Sequence, residues 1–164
     1  MSNSYQRKIK FSSLSGKSMQ GAVAVEFALL LIPLVVMAFG VAEFGRAMYQ
    51  YNTLAKTVRD SARLLSQQDP SDVVNYPLFV TAAKCLAVHG VPDCSGSPLA
   101  PGLTTGMVQT STSSMVSAAG TTINLVEVRI TGYTFNFMFN PLVFFGNTDT
   151  SISFGDIHTT MRQI

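Results

Sequence analysis

Few side chains in this sequence could carry acid–base or nucleophilic chemistry. The two histidines, His89 and His158, belong to no recognisable nucleophile motif, and no His-Glu-x-x-His pattern occurs. No glycine-rich phosphate-binding loop follows a predicted strand either. Because catalysis requires several groups that converge on one site, we expect no catalytic residues and no enzymatic activity.

The two cysteines could form a disulfide or contribute to a metal site. Cys85 and Cys94 enclose a ten-residue loop, and His89 lies four residues after Cys85. A disulfide that closes such a loop stabilises a small domain by on the order of 3 kcal/mol, provided that the compartment is oxidising. Three ligands are fewer than the four of a structural zinc site. We therefore predict a disulfide between Cys85 and Cys94, no metal site and no cofactor, with metal binding as the alternative.

Glu26 is the only charged residue in an apolar run from Ala22 to Ala42. At about 1.5 Å per residue, a helix of this length matches a hydrocarbon layer of roughly 30 Å. The run therefore predicts a transmembrane helix, which Pro33 should kink without ending. A carboxylate in such a segment costs roughly 2.5 to 3.5 kcal/mol, so Glu26 is expected to have a partner or a function.

The basic residues are concentrated before this helix. Arg7, Lys8, Lys10 and Lys17 precede Gly21, whereas none of the nine acidic residues does. After Gly21 the chain carries seven Lys and Arg against nine Asp and Glu, a net charge of −2. The basic charge thus predicts a helix that starts in the cytoplasm, with the rest of the chain outside. Because the basic residues lie in the leader and not on the folded part, we expect no nucleic-acid partner.

Residues 1–20 are polar and serine-rich, which is typical of a targeting leader. Two processing routes are open. A signal peptidase could cut after Gly40, with Ala38 and Gly40 as the small residues that it requires before the cut. This route needs a leader of about 40 residues, where 15 to 30 is usual. A cut before the apolar helix, at Gly21, would instead keep that helix in the mature protein.

The sequence around Gly21 resembles that of known pilins. The run Gly-Ala-Val-Ala-Val-Glu-Phe from Gly21 to Phe27, after a short basic leader, is similar to the prepilin peptidase site of type IV and Flp-type pilins. More closely, this run together with Glu43-Phe-Gly-Arg-Ala47, Asn52, Arg59 and Ala62-Arg63 resembles the TadE-like minor pilins of the tight-adherence (Tad/Flp) pilus. The resemblance is specific from Gly21 to about Leu65, and a closing Met161-Arg162 is loosely similar.

The resemblance implies a function in assembly of a Tad/Flp-type pilus, and thereby in adhesion, surface attachment and biofilm formation. It implies that a prepilin peptidase cuts between Gly21 and Ala22, and that Glu26 and Phe27 act in assembly. The partners would be that peptidase, other pilins or pseudopilins, the inner-membrane platform of the pilus machine, and membrane lipid. The protein would be a single-pass protein of the bacterial inner membrane, with its C-terminal domain in the periplasm and possible incorporation in the pilus.

The alternative is a periplasmic binding or adhesion module that remains anchored by an uncleaved signal. Amino-terminal sequencing of the mature protein distinguishes the two hypotheses.

Past the membrane segment, apolar or small residues continue at alternating steps of three and four, which predicts that the helix extends to about Gln68. These positions are Val41, Phe44, Met48, Tyr51, Ala55, Val58, Ala62 and Leu65. This seam could pack on the protein's own sheet, which we favour, or on the helix of a neighbouring subunit. Glu43 and Arg46 are expected to form a surface pair worth well under 1 kcal/mol.

The remainder predicts a second helix and a small sheet. Pro77 to Gly90 reads as a short helix with an apolar face of Phe79, Ala82, Ala83 and Leu86. Strands are predicted within 107–116, over 122–133 and over 150–161, the last with a bulge at Gly155-Asp156 and antiparallel to the second. The predicted fold is α+β, a long N-terminal helix followed by a short helix and an antiparallel sheet of about three strands. The predicted parts are a leader (1–21), a transmembrane helix (22–45), its periplasmic continuation (46–68) and a periplasmic domain (69–164).

One apolar segment has two interpretations. Residues 135–145 contain five Phe together with Met138, Leu142 and Val143, but the segment is too short to cross a bilayer. It is either a strand and loop that pack into the core, or an exposed contact for a partner or the lipid surface.

Overall fold

The computed structural model describes residues 17–116, 118, 120–140, 143 and 146–163. The predicted leader therefore lies mostly outside the described residues. The chain divides into two compact units between Ala38 and Phe39.

Helix α1 extends from Lys17 to Ser66. It begins five residues before the predicted start at Ala22, because no proline or glycine between Lys17 and Gln20 stops it. It continues through Pro33 and ends close to the predicted Gln68, whose backbone N–H donates to Leu65 O at 3.1 Å. The prediction of a helix that continues past the apolar run is confirmed.

Helix α2 extends from Tyr76 to His89, with Pro77 in its first turn. Gly90 ends it in the left-handed conformation, at φ +77°, and its N–H donates to Leu86 O at 3.0 Å. A Cβ at this position would lie 3.2 Å from Leu99 Cδ1, so both the backbone conformation and the space favour glycine.

The predicted apolar face of α2 is wrong, because only Ala83 of its four residues is buried. The buried residues are Ala83, Cys85, Ala87 and Val88. This side faces inward because Ala83, Ala87 and Val88 pack in the buried core cluster, and Val88 O accepts a hydrogen bond from Leu99 N–H at 2.8 Å.

In the part of the chain that the structure describes, five strands follow a 3-10 turn at Thr105–Met107. They are β1 (Val108–Val116), β2 (Thr122–Ile130), β3 (Thr134–Asn136), β4 (Ser151–Ser153) and β5 (Ile157–Arg162). The main sheet is antiparallel in the order β1-β2-β5, with Ile130 opposite both Val108 and Ile157. The predicted α+β fold and the antiparallel pairing of the second and last predicted strands are confirmed.

The strand predicted over 150–161 is interrupted, and no bulge occurs at Gly155-Asp156. Its first part, β4, pairs with β3 in a separate two-stranded sheet. The two sheets nevertheless share one register. Ile130 pairs with Ile157, and Thr134, four residues after Ile130, pairs with Ser153, four residues before Ile157. Gly132, at φ +69°, bends the chain here. The buried residues are the even-numbered Val128 and Ile130 before the bend and the odd-numbered Tyr133 and Phe135 after it.

The core lies between the second half of α1 and the main sheet. Leu54, Val58, Ala62 and Leu65 have no exposed surface and belong to one buried cluster with apolar residues of β2 and β5. Three of these four are residues of the predicted seam, so its packing on the protein's own sheet is confirmed for this part. The first half of the seam is different, because Val41, Phe44, Met48 and Tyr51 are all exposed.

Candidate functional site

Gly21 of the predicted processing site lies inside α1. A glycine in a helix interior is destabilising by roughly 0.5 to 1 kcal/mol relative to alanine. A Cβ added at Gly21 would meet nothing within 4 Å. Packing in the described chain therefore does not require a glycine at this position.

Glu26 lies one helical turn after Ala22, so the two residues share a face of α1. Glu26 is exposed, and within the described part of the chain it forms no hydrogen bond or salt bridge. Phe27 is also exposed. The structure thus places Ala22 and Glu26 one turn apart on the same face of α1.

The surface of α1 around these residues is apolar. Large hydrophobic side chains are exposed from Val23 to Val41. In the described residues, α1 is the one helix that is long and apolar enough to cross a membrane. This is consistent with membrane anchoring.

Glu43 and Arg46 form a clasp between α1 and the chain around β3. Arg46 Nη2 donates to Glu43 Oε2 at 2.8 Å and also to Asn136 O, and the guanidinium lies 4.6 Å from the centre of the Phe135 ring. Glu43 Oε2 further accepts from Met138 N–H at 3.4 Å.

The predicted pairing of Glu43 with Arg46 is confirmed, but the prediction that it is a surface pair is wrong. Glu43 is only 8% exposed, because the chain after β3 covers it. The Arg46 side chain is 30% exposed, so the pair is half-buried. Removal of Arg46 would leave the largely buried Glu43 carboxylate without its charged partner, which destabilises more than breaking a fully exposed pair.

Two glutamines and a tyrosine hold distant elements together, and the sequence patterns did not identify them. The Tyr133 hydroxyl donates to Gln50 Oε1 of α1 at 2.8 Å and also lies 3.2 Å from Pro101 O. Burial raises the pKa of Tyr133. Gln163 Nε2 lies 3.3 Å from Gln68 O and from the Tyr76 hydroxyl. These contacts link the end of β5 to the C-terminal end of α1 and to the first residue of α2. The sequence did contain one indication of these buried polar residues. Glu43, Gln50 and Leu54 recur at the spacing of a helix, and all three lie on the buried face of α1.

Cys85 and Cys94 are joined in a disulfide, with their Cα atoms 4.7 Å apart. Their sulfurs are therefore not available as thiolate ligands. His89 Nδ1 lies 3.0 Å from Gly96 O. In the residues that the structure describes, no three His, Cys, Asp or Glu side chains are grouped so that they could hold a metal ion.

A charged cluster lies on the face of the main sheet opposite the core. Arg129 Nη2 donates to Glu127 Oε1 at 2.7 Å, and Arg129 Nη1 donates to Asp156 Oδ2 at 3.2 Å. The hydrogen bond from Arg129 holds the pKa of Glu127 below its usual value. Glu127 and Arg129 lie on β2 and Asp156 lies in the loop before β5, so these ion pairs link β2 to that loop, which suggests a structural role.

Residues 21–63 match the family model described as TadE-like protein. The match begins at Gly21 and ends within α1, three residues before that helix does. Comparisons with curated proteins and with solved structures give no significant match. The predicted resemblance to the TadE-like family is confirmed over these residues of the long N-terminal helix.

Proposed function

We propose that this protein is a minor pilin or pseudopilin that takes part in assembly of a Tad/Flp-type pilus, with a structural and not a catalytic role. The observation that carries the proposal is the TadE-like match over residues 21–63. It covers both the apolar, exposed part of α1 and the part that packs in the core. A chain of this type combines a membrane segment with a folded domain on one helix.

In this proposal a prepilin peptidase removes residues 1–21. Two observations support the cut between Gly21 and Ala22. The TadE-like match starts at Gly21, and the fold places no neighbour where a side chain at this position would be. A glycine at the end of a leader suits a narrow peptidase site, where a side chain would clash.

The partners in assembly would be other pilins or pseudopilins and the inner-membrane platform of the pilus machine. The exposed half of the predicted seam supports this part of the proposal. Val41, Phe44 and Met48 are 70%, 67% and 44% exposed, and they continue the apolar surface of the membrane segment toward the folded domain. Such a surface can pack against the helix of a neighbouring subunit.

Intact-mass analysis of the protein from its native membrane tests the proposal. We expect a chain that begins at Ala22 and lacks the first 21 of 164 residues. Gly21→Val should block the cut. Gly45→Val is the matched control, because Gly45 also lies in α1 with nothing within 4 Å of an added Cβ. This variant should be cut normally.

An uncut wild-type chain, or one that begins at Val41, would contradict the proposal. The first result would support the signal-anchored module, and the second a protein released by signal peptidase.

A further inference from the structure

The segment that follows β3 lies against α1 where the apolar run of that helix ends. The Phe139 and Phe39 ring centroids are 4.7 Å apart. One residue earlier, Met138 N–H donates to Glu43 Oε2. The segment is thus held to α1 at two points that are one helical turn apart.

The position of Phe39 along α1 indicates its depth in a membrane. The apolar run ends at Ala42, and Glu43 is the first charged residue after it. With residues 22–42 in the hydrocarbon layer, Phe39 lies only about 5 Å inside its outer boundary, at about 1.5 Å per residue. Phe139, whose ring packs on that of Phe39, then lies at the same depth.

The exposed side chains of this segment are suited to lipid. Met138 is 82% exposed and Val143 is 58% exposed. No charged residue occurs between Phe135 and Phe145. A solvated loop of this composition would leave a large apolar surface in water, next to a helix whose own apolar surface requires a membrane.

We propose that the chain after β3, at residues 137–140 and at Val143, inserts into the outer boundary of the membrane that α1 crosses, as a second and shallow membrane contact. The lipid acyl chains are the occupant, because this surface is continuous with the lipid-facing surface of α1 at Phe39. The clasp of Glu43 and Arg46 lies on the aqueous side and secures the segment to the helix. The insertion holds the folded domain close to the membrane surface, and it rests on the proposed membrane anchoring by α1.

Tryptophan fluorescence can test this directly, since the chain contains no tryptophan. Three single variants of the full-length protein, Met138→Trp, Val73→Trp and Leu30→Trp, are reconstituted in phosphatidylcholine and phosphatidylglycerol vesicles with or without dibrominated acyl chains. Met138 and Val73 are both 82% exposed, so Val73→Trp is a control matched for exposure in a turn after α1. Leu30, which is 65% exposed, reports on the membrane segment itself.

We expect the brominated lipid to quench Met138→Trp and Leu30→Trp, with little loss of fluorescence for Val73→Trp. Bromines near the headgroup should quench Met138→Trp more than bromines deep in the acyl chain. Val143→Trp should be quenched as Met138→Trp is. Agreement between the two variants would show that the result does not depend on one substitution.

The outcomes separate the inference from the anchoring on which it rests. Quenching of Leu30→Trp without quenching of Met138→Trp and Val143→Trp would overturn the inserted segment alone. Equal quenching of Met138→Trp and Val73→Trp would overturn it as well, since the whole domain would then contact lipid. Absence of quenching in Leu30→Trp would overturn the membrane anchoring itself.

Discussion

At the scale of single residues, Glu26 is a carboxylate in an apolar surface, and it forms no hydrogen bond or salt bridge with the described residues of the chain. An unpaired carboxylate in lipid is costly, and the amino group that cleavage would create at Ala22 has a reference pKa near 8. That amine is mostly charged at neutral pH and lies one turn from Glu26, in the same chain or in a neighbouring subunit. We therefore predict that Glu26 acts in assembly through this amine.

Glu26→Gln should leave membrane insertion and cleavage intact but abolish recovery of the protein with its pilin partners after crosslinking. Asp60→Asn is a suitable control, since it removes a charge from an exposed position of the same helix. Normal recovery of Glu26→Gln would instead indicate a carboxylate that is merely solvated near the headgroups.

Glu127 should contribute to the acid sensitivity of the folded domain. Its pKa in the folded protein is lowered, chiefly by the hydrogen bond from Arg129. The unfolded state therefore binds the proton more tightly, so this contribution is complete above the unfolded pKa of about 4.5 and is lost as the pH falls through the folded value. The exposed carboxylates Asp69, Asp72 and Asp93 act in the same direction, because hydrogen bonds from Ser71, Asn75 and Ser95 lower the pKa of each one.

Denaturant unfolding at a series of pH values can measure the share of Glu127. We expect Glu127→Gln to be less stable than the wild type at neutral pH, and to lose less stability on acidification between about pH 5 and pH 3. Parallel curves for the two proteins over that range would contradict the prediction.

At the scale of elements, periodicity predicted which segments are helices and strands but not which side of α1 is buried. The predicted seam and the observed face coincide at Val58, Ala62 and Leu65. Nearer to the N-terminus of α1, the buried positions are Glu43 and Gln50, while Phe44 and Met48 are exposed. Polar residues can occupy a buried face there because their partners, Met138 N–H and the Tyr133 hydroxyl, lie more than 80 residues away. A local pattern does not contain that information.

The strands show the same limit. Alternation of side chains predicted the pairing of β2 with β5, because both sequences have one apolar face. The separation of β4 from β5 depends on a backbone bend at Gly132 in the opposite strand, at φ +69°. The sequence around Gly155 suggested a bulge, whereas the shared register shows that neither strand gains a residue.

The disulfide links the end of α2 to the loop that follows it. We expect alkylation of unreduced protein, taken from its native compartment, to label neither Cys85 nor Cys94. Removal of both sulfurs should lower the free energy of unfolding by on the order of 3 kcal/mol, since the loop between them would no longer be constrained in the unfolded chain. Two labelled cysteines would refute the pairing, and zinc in the purified domain would favour a metal site.

At the scale of the whole molecule, the long helix has two roles that divide along its length. Most side chains of its apolar first part are exposed, as those of a membrane segment would be. Its second part supplies one side of the hydrophobic core, with Leu54, Val58, Ala62 and Leu65 all fully buried. The core is therefore shared between residues 46–68 and residues 69–164, which the sequence analysis separated at Asp69.

This shared core leads to a prediction about where the folded domain begins. A chain of residues 39–164 keeps every residue of the core cluster, whereas a chain of residues 69–164 lacks the four from α1 and leaves only α2 to pack against the sheet. Loss of a single buried leucine commonly destabilises a domain by about 2 to 5 kcal/mol, which is a large part of the about 5 to 15 kcal/mol that holds a domain folded. We expect the longer chain, in mild detergent, to unfold in one cooperative transition by circular dichroism and to give dispersed amide resonances. The shorter chain should show neither, and a cooperative transition for residues 69–164 would mean that the sheet and α2 can form a stable core without α1.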